Sequence, residues 1–524
     1  MHPTVPPGYW RWHACRRKLS EHGKPRAAVA REPQPDSREG QVGLHGVADR
    51  PVVARKPGNA GGAKGPWFKV NVRSGESREI GVSLVTPEKV RKLQATLHAK
   101  AKESPDYRFY SLYDKVYRAD LLWHAYRICR SNGGAPGVDG QTFEDIEADG
   151  ERGWLGELAE ELRTKSYRPE AVRRVLIPKP GQKGRYRPLG IPTIKDRVVM
   201  TAASLVLEPI FEADLQPEQH AYRPNRSALD AVQQVVTLLK NRHWQVVDAD
   251  LSGYFDSIPH SELLQSIARR VADRQVLRLI KMWLQAAVEE TDRRGRKRRT
   301  TRNKDTGRGT PQGSPISPLF SNLYMRRFIL GWKVLGHERR LQAKIVNYAD
   351  DLVVCCGRGA DEAMAAMRAM MQKLKLTVNE EKTRICRLPD ETFDFLGYTF
   401  GRGYSVKTGW RYIGNRPSKK KVQSICRQIS VWTNRRWSWM DETEQVSRLN
   451  RALRGWANYF CLGAVSKPYR AVTRHACRRL RRWLRDKHKL QNAGYSRYPD
   501  EYLHLHLGLI NLEKQVRNLP WANA

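Results

Sequence analysis

The tetrapeptide Tyr348-Ala349-Asp350-Asp351 lies between two apolar runs, Ala343-Lys344-Ile345-Val346-Asn347 and Leu352-Val353-Val354-Cys355-Cys356. Two adjacent acids at a turn between strand-like runs aim negative charge at one point, and carboxylates so placed need a cation to be tolerated. The pattern predicts a metal-binding hairpin. An Asp-Asp pair is also a common surface turn, so the hairpin gains weight only from a second acidic segment. That segment is Trp244-Gln245-Val246-Val247-Asp248-Ala249-Asp250-Leu251-Ser252-Gly253-Tyr254-Phe255-Asp256, a β-type run ending in acids and a Gly-aromatic turn. With its strand beside the hairpin, Asp250 joins Asp350 and Asp351 around two Mg²⁺ ions, the arrangement that performs nucleotidyl transfer by two metals. Leu251, next to Asp250, is counted with the three acids among the ligand positions. Asp248 and Asp256 are close by, and periodicity alone leaves them open.

Several elements must position these acids. Val175-Leu176-Ile177-Pro178-Lys179-Pro180-Gly181 and Gly184-Arg185-Tyr186-Arg187-Pro188-Leu189-Gly190-Ile191-Pro192 read as two strands around a basic turn, a hairpin able to fold over a triphosphate. Arg suits bidentate phosphate contact and Lys a point-charge contact. Between the two acidic segments lies Gly309-Thr310-Pro311-Gln312-Gly313-Ser314-Pro315-Ile316-Ser317-Pro318. Its prolines stiffen the loop, while Gly313 lets the backbone approach a base pair or sugar. Met364, Met367, Met371, Leu374 and Leu376 mark a packing helix, and Phe393 to Phe400 alternates as one aromatic strand. Helical stripes follow: Val422, Ile425, Cys426 and Ile429, then Leu449, Ala452, Leu453, Trp456 and Phe460, then a basic helix over about Tyr469 to Leu490. Upstream, Thr86 caps a helix with Val90, Leu93 and Leu97 on one face, and a second helix is expected from Tyr107 through Ile128.

In these motifs and their order, over about residues 86 to 490, the chain resembles reverse transcriptases. Leu449 to Phe460 resembles the maturase domain of group II intron-encoded proteins. The resemblance implies an α+β right-hand polymerase fold, with fingers and palm over 166–405 followed by an α-helical thumb/maturase domain over 415–490. An N-terminal extension over 86–165 precedes them and a tail over 491–524 follows. It implies catalysis by Asp250, Asp350 and Asp351. Asp250 is preferred over its neighbours because Phe255 follows five residues later, where the family keeps a ring against the sugar 2′ position; an ordinary core aromatic is the alternative. Lys179 and Arg187 match positions that grip the incoming nucleotide's phosphates, Gln312 sits beside the nascent pair, and Lys382 neutralises pyrophosphate. Arg223 and Arg226 are either template-phosphate contacts or surface cations. Arg451 and Arg454 are assigned to RNA.

Composition points the same way. Ninety-four Lys and Arg against 54 Asp and Glu give a formal charge of +40 over 524 residues, spread along the chain, which suits an extended polyanion better than one small anion pocket. Eight Cys without a Cys-x-x-Cys pair indicate a reducing, cytoplasmic setting, and no apolar stretch reaches membrane-spanning length. Residues 1–85, rich in Gly, Pro, Arg and Ser, read as a flexible basic leader. The implied partners are a folded group II intron RNA, primer and target DNA, and deoxynucleoside triphosphates. The stretch after Leu490 contains no Cys, so the zinc-associated endonuclease of many relatives is expected to be missing, as in group IIC proteins.

Overall fold

A computed structural model describes residues 85–178, 184, 186–292, 294–405, 408–492 and 494–515. Among them the strands are β1 Val172–Pro178, β2 Tyr186–Ile191, β3 Gln245–Asp250, β4 Val288–Thr291, β5 Lys297–Thr300, β6 Ala343–Tyr348, β7 Asp351–Cys356, β8 Arg384–Arg387, β9 Phe393–Phe395, β10 Tyr398–Tyr404 and β11 Arg411–Pro417. They form three sheets, ordered β2-β1-β4-β5, β6-β7-β3-β8 and β11-β10-β9. The helices make this a mixed α/β chain. Among the described residues no helix is long and apolar enough to cross a membrane.

The antiparallel sheet β6-β7-β3-β8 separates two apolar cores. Successive side chains of a strand point to opposite faces. Val247, Ala249, Ile345, Leu352 and Val354 accordingly enter one core, with Phe328, Met364 and Met367. Val246, Val346, Val353, Cys355 and Cys386 enter the other, with Leu449, Leu453 and Trp456 of the helix Glu442–Tyr459. Asp248, Asp250 and Asp351 share parity with that second set, so the acids stand where its apolar face ends.

Three sequence expectations change. The helix foreseen over Tyr107 to Ile128 is two pieces, Tyr113–Val116 and Ala119–Asn132. A distant carboxylate explains the first: Asp273 Oδ2 accepts from the backbone N–H of Leu112 at 2.9 Å and of Tyr113 at 2.8 Å, capping a helix that local residues do not cap. The first helix begins at Glu88 with Pro87 at the cap position and no side-chain cap from Thr86. The single strand expected over Phe393 to Phe400 is the β9–β10 hairpin, reversed where Leu396 and Gly397 take positive φ of 49° and 83°.

The helix Ile194–Glu212 is buried along most of its length. Asp196 in its first turn accepts hydrogen bonds from the Tyr167 hydroxyl and, at 3.1 Å, from the Glu170 N–H. Burial pushes its carboxyl up to about 6 from an ordinary 3.8, outweighing those bonds. A carboxyl that holds its proton more tightly when folded costs nothing below the unfolded value; stability then falls as pH rises through that value toward about 6 and levels off above. The unfolding free energy should therefore drop from pH 4 to 6.5 by about 2–3 kcal/mol more in the native chain than in Asp196→Asn, as read by denaturant titration. Parallel profiles for the two would contradict this.

Candidate active site

Register brings two of the sequence-predicted acids together. Asp250, the last residue of β3, pairs directly with Asp351, the first of β7. Directly opposed residues of an antiparallel ladder project from the same face with Cα atoms about 4.5–5.5 Å apart. Neither alternative has this placement. Asp248 pairs with Val353 and Arg384, and Asp256 turns away to accept from Gln312 Nε2 at 3.3 Å.

Asp350 is held at the hairpin turn. Tyr348 pairs with Asp351, leaving Ala349 and Asp350 as a two-residue loop in which Ala349 adopts φ 58°. That conformation is unfavourable for a residue with a Cβ, and buried Asn347 offsets the cost by donating to the carbonyls of Ala349 at 2.9 Å and Asp351 at 3.3 Å. Asn347 also bonds through its own main chain to Glu218 and His220, tying the hairpin to the segment around Tyr222. The sequence reading gave Asn347 no role, because its main-chain partners Glu218 and His220 lie outside its own run.

The electrostatics follow from this convergence. Asp351 keeps an exposed surface at the start of β7, but desolvation of its carboxyl, then the charges of Asp350 and Asp250, push it up to about 7, while Lys421 works in the opposite direction. Tyr222 is raised to about 12 by burial and by Asp350, and Tyr459 is raised by burial with smaller effects from Tyr348 and Asp351. The three carboxylates are not already closed into a cage, and among the described residues no set of three His, Cys, Asp or Glu surrounds an ion-sized space. Asp250 Oδ2 instead accepts from Asn379 Nδ2 at 2.9 Å and Lys382 Nζ at 3.0 Å. By donor chemistry the residues fit a hard divalent cation: all side-chain donors are carboxylate oxygens, and Lys382 and Lys421 offset only part of their mutual repulsion. Leu251 has only its main-chain oxygen to offer, since its side chain is buried in the first core.

A second cluster adjoins the acids. Arg187 Nε donates to Gln312 Oε1 at 3.3 Å, and Gln312 in turn donates to Asp256. Phe255, 8% exposed, accepts through its carbonyl from Thr310 N at 2.8 Å, so three of the nucleotide-binding candidates share one neighbourhood. Lys179 lies outside the described residues. Lys382, assigned to pyrophosphate, rests on Asp250. Gly313 has φ 108°, and a Cβ there would stand 2.5 Å from the Gly190 carbonyl oxygen. Its missing side chain thus admits strand β2, where the sequence suggested a base pair.

Arg223 is corrected outright. It is neither a template-phosphate contact nor a surface cation: its guanidinium is buried, grips Glu212 with Nε at 3.1 Å and Nη2 at 2.7 Å, and donates through Nη1 to the carbonyls of Gln216 and Gln219. Its donors are used largely within the protein, although the residue also borders the cleft that Arg226 lines. Arg226 donates to the Pro217 carbonyl at 3.2 Å and lines a cleft of about 680 Å³ with Tyr222, Gly313, Tyr348 and Tyr459. Arg451 and Arg454 are exposed on the helix Glu442–Tyr459. In the basic segment 293–299, Arg293 lies outside the described residues, while Lys297 and Arg299 pair with Glu289 at 3.4 and 2.9 Å.

Residues 177–400 match the family described as reverse transcriptase (RNA-dependent DNA polymerase), and residues 422–499 match the group II intron, maturase-specific domain. Protein YkfC of Escherichia coli is 30% identical over 373 residues, covering 63% of this chain and 93% of YkfC. The group II intron-encoded protein LtrA of Lactococcus lactis is 32% identical over 238 residues, 45% of this chain and 37% of LtrA. A putative COX1/OXI3 intron 1 protein of Saccharomyces cerevisiae is 26% identical over 484 residues, 76% of this chain and 56% of that protein. Two domain matches in the expected order, and a 30%-identical relative spanned almost end to end, show that the chain belongs to the group II intron-encoded reverse transcriptase and maturase family.

Proposed function

We propose that the chain is an RNA-directed DNA polymerase that copies intron RNA into DNA, and that it also binds its parent group II intron RNA to promote splicing and mobility. The observation that carries the first half is the direct opposition of Asp250 and Asp351 with Asp350 at the adjoining turn. Asp250, Asp350 and Asp351, with the main chain of Leu251, would hold Mg²⁺, which when bound supplies charge neutralisation for nucleotidyl transfer. The protein's own groups do the rest. Arg187 and Gln312 orient the incoming triphosphate, and Phe255 closes the space a 2′-hydroxyl would need. Lys382 and Asn379 hold the Asp250 carboxylate in place. In this reading β1 and β2 belong to the fingers, the sheet β6-β7-β3-β8 to the palm, and the helices after Ser418 to the thumb.

Incorporation of deoxynucleotides onto a DNA primer annealed to an RNA template, stopped by a chelator, tests this reading. No incorporation by a chain that still binds intron RNA and promotes splicing would instead identify a non-catalytic splicing cofactor on a retained polymerase fold. For the RNA-binding half, Arg451→Ala with Arg454→Ala should weaken intron binding and lower the slope of log affinity against log salt by about 1–2, roughly one for each phosphate left without its cation. An unchanged slope in a salt titration would remove these two residues from the interface.

A further inference from the structure

The outward face of the β10–β11 hairpin presents exposed aromatic rings. On β11 the residues Tyr412, Gly414 and Arg416 share one side, and Trp410 immediately precedes the strand; across the ladder Tyr412 pairs with Gly403 and Gly414 with Gly401. The opposite side, with Tyr398, Phe400 and Ile413, packs into the second core. A Cβ on Gly403 would stand 2.7 Å from Tyr412 Cζ, and one on Gly414 2.5 Å from Tyr412 Cε2. The phenol ring therefore lies flat on bare backbone at two glycines, with its other face turned outward. Tyr412 is 42% exposed, and Trp410, two residues before it, is 78% exposed.

The charges around these rings suit a polyanion. Arg416 is exposed on the same side, with Lys420 beyond it. The acid on that side, Asp394, is already occupied by Thr399 Oγ1 at 2.5 Å and by Lys420 at 3.7 Å. Strand β11 runs through Ser418, whose hydroxyl accepts from Lys421 N, directly into the helix Lys419–Trp432, where the maturase match begins.

We propose that Trp410 and Tyr412 form a stacking platform for unpaired bases of RNA, with Arg416 and Lys420 contacting the adjacent phosphates. A flat exposed ring stacks on any base whatever its sequence, and flanking cations track the backbone. Continuity with the maturase-matching helix favours RNA as the occupant over DNA or a protein. The proposal rests on reading the chain as RNA-binding.

The test uses the full chain, an oligouridylate of about twelve nucleotides carrying 4-thiouridine, its deoxy counterpart with 4-thiothymidine, and an RNA duplex of the same length. The expected result is a photo-crosslink from the RNA strand to the peptide containing Trp410 and Tyr412. Trp410→Ala combined with Tyr412→Ala should lower single-strand RNA affinity about tenfold at unchanged salt slope and leave duplex affinity alone, whereas Tyr412→Phe should bind like the native chain. The platform is overturned by unchanged single-strand affinity, by an equal loss for the duplex, by a crosslink from the DNA strand alone, or by variants that alter only self-association. If the native chain binds no RNA, the broader reading fails; if it binds RNA normally with crosslinks elsewhere, only the platform fails.

Discussion

Asp351→Asn is expected to slow primer extension on an RNA template by about 10³-fold or more while leaving RNA affinity within about twofold. The substitution keeps the shape of the side chain opposite Asp250 but removes one of three converging negative charges. Because desolvation and the charges of Asp350 and Asp250 already raise this carboxyl to about 7, the amide relieves repulsion, and the variant should fold at least as stably as the native chain. Loss of activity can then be read as loss of chemistry. Single-turnover extension on a preformed complex, with the thermal midpoint measured alongside, separates the two. Extension within tenfold of the native rate would contradict the assignment of Asp351, and splicing lost together with synthesis would contradict separate roles for the two halves of the chain.

Arg223→Ala should have the second largest effect, on stability. Removing the guanidinium leaves Glu212 partly buried without its partner and strips donors from the carbonyls of Gln216 and Gln219. Breaking a buried pair from one side costs about 3–5 kcal/mol. The loop it braces carries Tyr222 on to the hairpin through the main-chain bonds of Asn347 with Glu218 and His220, so loosening should reach the acids. Chemical denaturation should show a lower midpoint. A stable variant with selectively weakened template binding would restore the phosphate-contact role that the buried geometry removes.

The parts legible in the sequence were those written in one run of residues. The acidic hairpin, the strand ending at Asp250 and the helix stripes through Leu449 and Val422 are local patterns, and the structure has strands and helices there. What escaped was set from a distance. Asp273 caps the piece beginning at Tyr113 from 160 residues away, breaking a helix that local periodicity made continuous. Arg223 reads as a free cation because nothing in its own segment shows Glu212 folding back onto it. Gly313 reads as room for a ligand because the approach of Gly190 depends on how two separate segments meet. Asn347 was visible only as a polar residue between apolar ones, and its complete burial at a strand end shows only in the fold.

Sharing of divalent ions by Asp250, Asp350 and Asp351 underlies the polymerase reading, and Mn²⁺ binding followed by electron paramagnetic resonance on the complex with primer and RNA template reads that sharing directly. Mn²⁺ should be bound by the native chain and by Arg451→Ala, and lost in both Asp250→Asn and Asp351→Asn. Equal Mn²⁺ occupancy in all four proteins would contradict a shared metal site.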